Sequence, residues 1–370
     1  MKFSIDKDRL NDTLTAVAAI IPQRSTLPIL STLLLELEGN RLRITATDLD
    51  VYVVTDVEAD GSEDGVVTVP GRRFFEIVKE LPSEQLSLVT DANQTTLTCG
   101  RRTYRFLGMT ATDFPAIPTS LSGTGVELPV AALLRGLQHT TFAVSTDEAR
   151  PNLQGALVQI SADGLRLVAS DSHRLVRYDF PGLTGEPLKA IVPLKTLQLL
   201  LRNLASSDGV AVLELAGNYI ACSYDNTRVY SRILEGPFPD YEKVIPSDNT
   251  NVFTLDREEG IRALRRVSVL SHSQTHQVRL SVEKGALSIA TNTPEVGDAV
   301  ETIDIDYEGE QIDIGFNAVY LLEVLRHIAS PNIVIRLGGS THAGLLTPES
   351  IDGDESYLCL VMPLRLYSHT

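Results

Sequence analysis

Val168-Ala169-Ser170-Asp171-Ser172-His173-Arg174-Leu175 decides how the rest of the chain is read. A serine, an aspartate and a histidine stand together here, the ingredients of nucleophilic catalysis. The same local frame recurs as Ala46-Thr47-Asp48-Leu49, about 123 positions earlier, and as Ala290-Thr291-Asn292-Thr293, about 121 positions later. A catalytic triad has no reason to recur along one chain, whereas a strand end in a repeated domain does. The frame therefore points to a repeated domain before it points to catalysis.

Outward from this frame the repeat extends over the whole chain. In the first copy the short strand Phe3-Ser4-Ile5 precedes a helical pattern, Leu10, Leu14, Val17, Ala18 and Ile21, closed by Pro22. A hairpin over 33–44 turns at Gly39-Asn40, and a second helix runs from Pro70 to Leu81. The second copy restarts at Val126 with a helix from Val130, a hairpin turning at Ala162-Asp163-Gly164, and a helix opened by Pro193, about 123 positions after Pro70. Cys222 follows Cys99 at the same spacing, as core positions of equivalent strands would. The third copy starts near Asn251, with helices over 261–269 and 317–328 and a hairpin across Glu283-Lys284-Gly285. The pattern predicts an α+β chain of three similar domains, 1–122, 123–248 and 249–370, each with two helices packed on antiparallel sheets. Each copy is long enough for a core of its own. Equivalent domains joined in one orientation tend to curve, so helices lining an arc or ring are expected, closed by one chain or by a symmetric dimer.

Composition bounds the function classes. A chain of 370 residues with 43% hydrophobic and 22% charged residues reads as globular. Its N-terminal stretch has no signal-like apolar region and no run approaches a membrane span, so a cytoplasmic protein without membrane contact is expected. Cys99, Cys222 and Cys359 are odd in number and lack metal-site spacing; buried structural thiols are expected. The net charge is −16, yet the helical windows 6–24, 70–80, 130–142, 188–204, 256–268 and 316–328 together carry +6, leaving −22 elsewhere. A basic lining with an acidic exterior suits a protein that surrounds a polyanion and avoids it elsewhere. Lys189, Lys195 and Arg202 have no acidic residue in their window.

The chemistry that Ser172 invites is set aside on three grounds. Neighbouring residues of an extended segment face opposite ways, so Ser172 and His173 cannot form a nucleophile–base pair. Gly-x-Ser-x-Gly is absent around Ser172. Asn292 stands where Asp48 and Asp171 stand, which fits a turn or capping role in every copy. The histidines form no HExxH pattern, His272 and His276 lie in a serine-rich loop, and there is no phosphate-binding glycine loop. No catalytic residue, metal or cofactor is expected. What remains is a binding protein, with Leu360 and Met362 in a last strand and Leu364 and Leu366 beyond Pro363, which ends ladder pairing.

Thr26-Leu27-Pro28-Ile29-Leu30, Ala46-Thr47-Asp48-Leu49, Ser170-Asp171-Ser172-His173-Arg174-Leu175, Phe238-Pro239-Asp240-Tyr241, Ile314-Gly315-Phe316-Asn317 and Val361-Met362-Pro363-Leu364-Arg365-Leu366, taken in this order, resemble the bacterial DNA polymerase III beta subunit family, the sliding clamps. The resemblance implies a clamp fold and a head-to-tail homodimeric ring around duplex DNA, read without sequence preference. It implies partners that dock on it: the replicative polymerase alpha subunit, the clamp loader, and other polymerases and repair proteins. A protein-interaction scaffold without DNA binding is the alternative.

Carried over residue by residue, the resemblance implies a partner-peptide pocket of Leu153, Ser170, Ser172, His173, Arg174, Leu175, Pro239, Val244, Val361, Met362, Pro363, Leu364 and Arg365. The family commonly has threonine and glycine where this chain has Ser170 and Ser172, and methionine where it has Leu364, a swap that conserves volume. Two buried anchors of a peptide would contribute roughly 1.5–3 kcal/mol each, giving affinity of about micromolar order, to which two pockets per ring add avidity. The matching DNA positions are Arg24, Arg73, Lys195 and Arg202, with Arg150 in a loop where the family often has aromatic residues. Such contacts would go to phosphates, because base readout would stop sliding. The implied dimer contact sets Tyr104 of one subunit against Val269 and Leu270 of the other.

Overall fold

The computed structural model describes residues 1–118, 125–294, 296–351 and 353–366; the expected polar tail, Tyr367–Thr370, lies outside the described residues. Among the described residues there are six α-helices: α1 (Lys7–Ala18), α2 (Gly71–Glu80), α3 (Val130–Thr140), α4 (Leu194–Leu204), α5 (Arg257–Ser268) and α6 (Ala318–His327). Local chemistry sets their limits. Asp6 caps α1 by accepting from the backbone N–H groups of Asp8 (3.0 Å) and Arg9 (3.1 Å). Leu10, Leu14 and Val17 then fall on its buried stripe. The helix stops three residues short of Ile21, yet Ile20 and Ile21 stay buried because their N–H groups donate to Val17 and Ala18 in a tighter turn. α5 begins earlier than expected because Asp256 caps it. Glu258 and Glu259 in its first turn and Arg265 and Arg266 in its last suit the helix dipole. Asn317 caps α6 through the N–H of Val319 at 2.8 Å.

The chain divides into two compact units, Met1–Leu134 with Lys195–Ile233, and Arg135–Leu194 with Leu234–Thr370. Unit 1 holds a five-stranded sheet in the order Asp60–Glu63, Lys2–Asp6, Gln85–Asp91, Gln94–Cys99, Arg102–Leu107. It also holds an eight-stranded sheet in which four strands of the first sequence copy join four of the second. The seam is the antiparallel pair Val51–Glu58 with Thr227–Arg232, with Val53 opposite Val229. Unit 2 repeats the device. Its eight-stranded sheet joins the second copy to the third through Arg174–Phe180 and Ser356–Val361, with Val176 opposite Cys359. Its four-stranded sheet runs Gly297–Asp304, Ala286–Thr293, Gln277–Glu283, Ile312–Asn317.

Self-contained copies were the sequence expectation; the sheets are shared instead. Pairing one copy's outer strand with the next satisfies two rows of backbone groups that would otherwise be open edges. The second copy is thereby divided, its strands over 155–193 lying in unit 2 and those over 210–232 in unit 1. Cys99, Cys222 and Cys359 are all free and buried, and burial pushes the thiols of Cys222 and Cys359 up to about 12.

Candidate functional site

The opening stretch folds as a tight turn between the strands Gly164–Ser170 and Arg174–Phe180. Asp171 Oδ1 accepts from the N–H groups of His173 and Arg174, both at 2.9 Å. Ser170 Oγ donates to the carbonyl of Arg174 at 2.8 Å and accepts from the N–H of Ser172 at 3.2 Å. The first copy repeats every one of these bonds. Asp48 Oδ1 accepts from Asp50 (3.2 Å) and Val51 (2.8 Å), and Thr47 Oγ1 bonds the Val51 carbonyl and the Leu49 N–H, both at 2.9 Å.

The third copy departs from this plan, which corrects the expectation of one turn in every copy. Ala290-Thr291-Asn292-Thr293 stays within a strand, Asn292 lies opposite Asp298, and pairing continues to Thr293 opposite Gly297. The reversal comes after Thr293, so Asn292 is a ladder residue and not a turn cap.

The geometry also replaces the reason for rejecting a triad. Ser172 is not on an extended segment; it sits at φ 77°, the left-handed region. Its hydroxyl accepts from Arg150, while the His173 ring stacks on Tyr320 with 5.8 Å between centroids. No group of His, Cys, Asp and Glu among the described residues could hold a metal ion, and no described helix is long and apolar enough to cross a membrane.

Beside this turn, within unit 2, lies a cavity of about 240 Å³. The turn supplies Ser170, Ser172, Arg174 and Leu175; the short helical turn Pro151–Leu153 supplies Leu153; the final strand supplies Leu360, followed by Met362. The opposite wall is the segment from Phe238 through Pro239, Asp240 and Tyr241 to Val244. Its floor is continuous with a core cluster that includes Leu157, Val168, Leu175, Tyr241 and Leu360. At the rim Val244 and Met362 are 51% and 41% exposed, apolar surface left to solvent. The volume lies below the usual range for a cofactor site, roughly 300–1,000 Å³, and suits one or two apolar side chains.

Of the residues implied by the resemblance, His173, Val361, Pro363, Leu364 and Arg365 do not line this cavity. His173 is turned to Tyr320, and its carbonyl accepts from Met362 N–H at 2.8 Å, which seats Met362 at the rim. Val361 is wholly buried in the ladder. Leu364 instead bridges to Gly315 on the edge of the four-stranded sheet, its N–H donating to the Gly315 carbonyl at 2.7 Å. Gly315 is needed there, since a Cβ would lie 2.6 Å from the Leu364 carbonyl oxygen and 2.9 Å from Leu366. Phe238, Asp240, Tyr241 and Leu360 were missed as lining, although the first three stand in a motif already singled out. Tyr320, beside both His173 and Arg174, was also missed. Its signal was faint: one aromatic three residues before Glu323 on the same helical face. Burial, chiefly, pushes its hydroxyl above the ordinary tyrosine range.

The basic candidates Arg24, Arg73, Lys195 and Arg202 all fall in unit 1 and are exposed. Arg24, Arg73 and Arg202 form no ion pair among the described residues, whereas Lys195 pairs with Asp48, an acidic partner outside its own helix. The nearby Asn203 amide donates to the Ala16 carbonyl at 3.1 Å, holding the end of α4 against α1. Arg150, in unit 2, is engaged by Ser172 and by Asp147 at 3.7 Å. Tyr104 lies on the open-edge strand Arg102–Leu107 of the five-stranded sheet. Val269, just after α5, is 75% exposed, and Leu270 beside it is half-buried.

Three family descriptions match the chain in succession: DNA polymerase III beta subunit, N-terminal domain, over residues 1–118; central domain, over 127–240; and C-terminal domain, over 242–365. The beta sliding clamp of Caulobacter vibrioides is 34% identical over 376 residues, spanning 99% of this chain and 100% of that one. That of Pseudomonas putida is 33% identical over 370 residues with the same coverage. Among solved structures, a Pseudomonas aeruginosa sliding clamp bound to griselimycin superposes with a TM-score of 0.94 at 31% identity, covering 99% of this chain and 100% of that one.

Proposed function

Because the chain belongs to the DNA polymerase III beta subunit family and is a DNA sliding clamp, a non-catalytic processivity factor, we propose that two copies close head to tail into a ring around duplex DNA and hold partner proteins by short apolar segments. The domains of that ring are 1–122, 123–248 and 249–370. It works in the cytoplasm.

The observation that carries the docking role is the apolar cavity of about 240 Å³ with Val244 and Met362 open at its rim. Leu153, Ser170, Ser172, Arg174, Leu175, Pro239, Val244 and Met362 form the first part of the site. His173, Val361, Pro363, Leu364 and Arg365 border it, His173 with Tyr320 extending the surface along the chain of a bound peptide. Its occupants are the replicative polymerase alpha subunit, the clamp loader, and other polymerases and repair proteins. Griselimycin, bound by the Pseudomonas aeruginosa relative, is a ligand for this chain as well.

Closure is supported by two open sheet edges with opposite charge. Strand Arg102–Leu107 carries Arg102, Arg105 and Leu107, the last 73% exposed; strand Gly297–Asp304 carries Asp298, Asp304 and Val300, the last 62% exposed. Tyr104 of one copy against Val269 and Leu270 of the other extends this pairing. Such edges invite strand addition from a second chain, and opposite charge steers it. For DNA, Arg24, Arg73 and Arg202 supply phosphate contacts, Lys195 does so in competition with Asp48, and Arg150 contributes least because Ser172 and Asp147 engage it.

The test is twofold. Loaded on nicked circular DNA the protein should stay bound and leave once the circle is linearised, and a labelled hexapeptide ending in Leu-Phe should bind with about micromolar affinity. Equal retention on linear and circular DNA would refute encirclement; absence of peptide binding would refute the docking reading.

A further inference from the structure

Arg174 lines the pocket, yet its side chain is only 7% exposed, and all three of its guanidinium nitrogens are engaged from behind. Nε donates to Asp171 Oδ2 at 3.1 Å, one terminal nitrogen to the Phe142 carbonyl at 2.8 Å, and the other to the carboxylate of Glu323 on α6. The rings of Phe142 and Tyr320 cover it, at 5.2 and 4.9 Å from the guanidinium carbon. Asp171 belongs to the turn itself and moves with it. Glu323 comes from another copy of the repeat, and its side chain is 36% exposed, outside the cavity lining.

We propose that Glu323 is a positioning residue for peptide recognition: it fixes Arg174 from α6, and so sets the shape of the pocket floor without touching the peptide. A buried arginine needs its charge matched and its donors filled. Asp171 already spends one oxygen on capping the turn and the other on Nε. Without Glu323 one terminal nitrogen of this buried side chain loses its acceptor, and because Arg174 itself lines the pocket, a shift of the guanidinium changes the surface that a peptide meets. The same helix carries Tyr320, which stacks on His173, so α6 braces both residues that follow Ser172 in the turn. α6 is held in turn by His327, whose ring stacks on Phe142 at 3.9 Å and whose carbonyl takes a bond from His139. The pocket floor is thus tied to a helix of the third copy through side chains.

This inference rests on the docking reading, and the experiment separates the two. Titrating the labelled Leu-Phe hexapeptide into full-length protein, at a temperature where melting curves show each variant fully folded, gives a Kd that loss of stability alone does not move. Glu323→Ala is expected to weaken binding about tenfold, the loss of one charge-assisted hydrogen bond. Glu323→Gln, which keeps the shape but removes the charge, should weaken it less and serves if the alanine variant fails to fold. In an Arg174→Lys background, Glu323→Ala should have almost no further effect, since both act through one group. Wild-type affinity in both Glu323 variants, or full additivity with Arg174→Lys, would overturn the assignment while leaving the pocket intact. No binding to the wild-type protein would instead refute the docking reading itself.

Discussion

Ser172 and Leu49 occupy the same left-handed backbone position, at φ 77° and 82°, in two turns whose hydrogen bonds correspond one for one. Each turn carries an L-residue where the backbone favours glycine, and each is held by an aspartate that caps two N–H groups. Asp48→Ala and Asp171→Ala should therefore each cost about 1–3 kcal/mol. Asn292→Ala, at a ladder position of the third copy, should stay within about 0.5 kcal/mol. Urea denaturation of the three variants checks this; an equal cost at Asn292 would restore the common turn.

Removing Arg24, Arg73 or Arg202 should weaken DNA retention uniformly across sequences and lower the salt dependence by about one unit for each lost phosphate contact. Lys195→Ala should change it less, because its ammonium is already paired with Asp48. Salt titrations on circular DNA measure both. A larger effect from Lys195 would mean that the pair opens on DNA.

The double variant Arg102→Glu, Arg105→Glu should sediment as a 40.4 kDa monomer under conditions where the wild type sediments at twice that mass. Adding Asp298→Lys and Asp304→Lys should restore association. A dimer that survives the first pair of changes would rule out pairing of these two edges.

Gly315→Ala would place a Cβ against the carbonyl of Leu364, so the segment 363–366 must leave the sheet edge. Met362 is next to this segment, and peptide affinity should fall about tenfold or more, with the dimer unaffected. Unchanged affinity would show that the Leu364 anchor does not position Met362.

Burial holds the His139 imidazole below the ordinary histidine range, with its Nδ1 directed at the His327 carbonyl. The folded value is the lower one, so the unfolded chain takes up the proton first. The associated stability is complete above about pH 6.5 and is lost as the pH falls through the folded value. Melting temperature should drop between pH 7.5 and 5.5, and His139→Asn should flatten that part of the profile. An identical pH dependence in the variant would assign the loss to other groups.

How much of this was legible depended on how local the cause was. The threefold repeat, the six helices and the two aspartate turns rest on near-neighbour chemistry: apolar spacing, proline stops and caps within three residues. Helix ends slipped where a cap outweighed the apolar pattern, as Asp256 did for α5. The turn motif misled in the third copy, because whether Asn292 caps or pairs is decided by the strand across from it.

Composition and periodicity, with the order of the motifs, were enough to determine by sequence alone an α+β chain of three related segments with apolar stripes on its helices. Only the tertiary structure decided that the sheets run across the copies, that Leu364 anchors on Gly315 while Met362 stays at the pocket, and that Lys195 is paired. It alone also brought Glu323 and Tyr320 to Arg174, residues separated by more than a copy of the repeat. Pairing across a seam and neutralising a buried charge are contacts between distant residues, and a linear pattern records which groups need partners but not which partners they find.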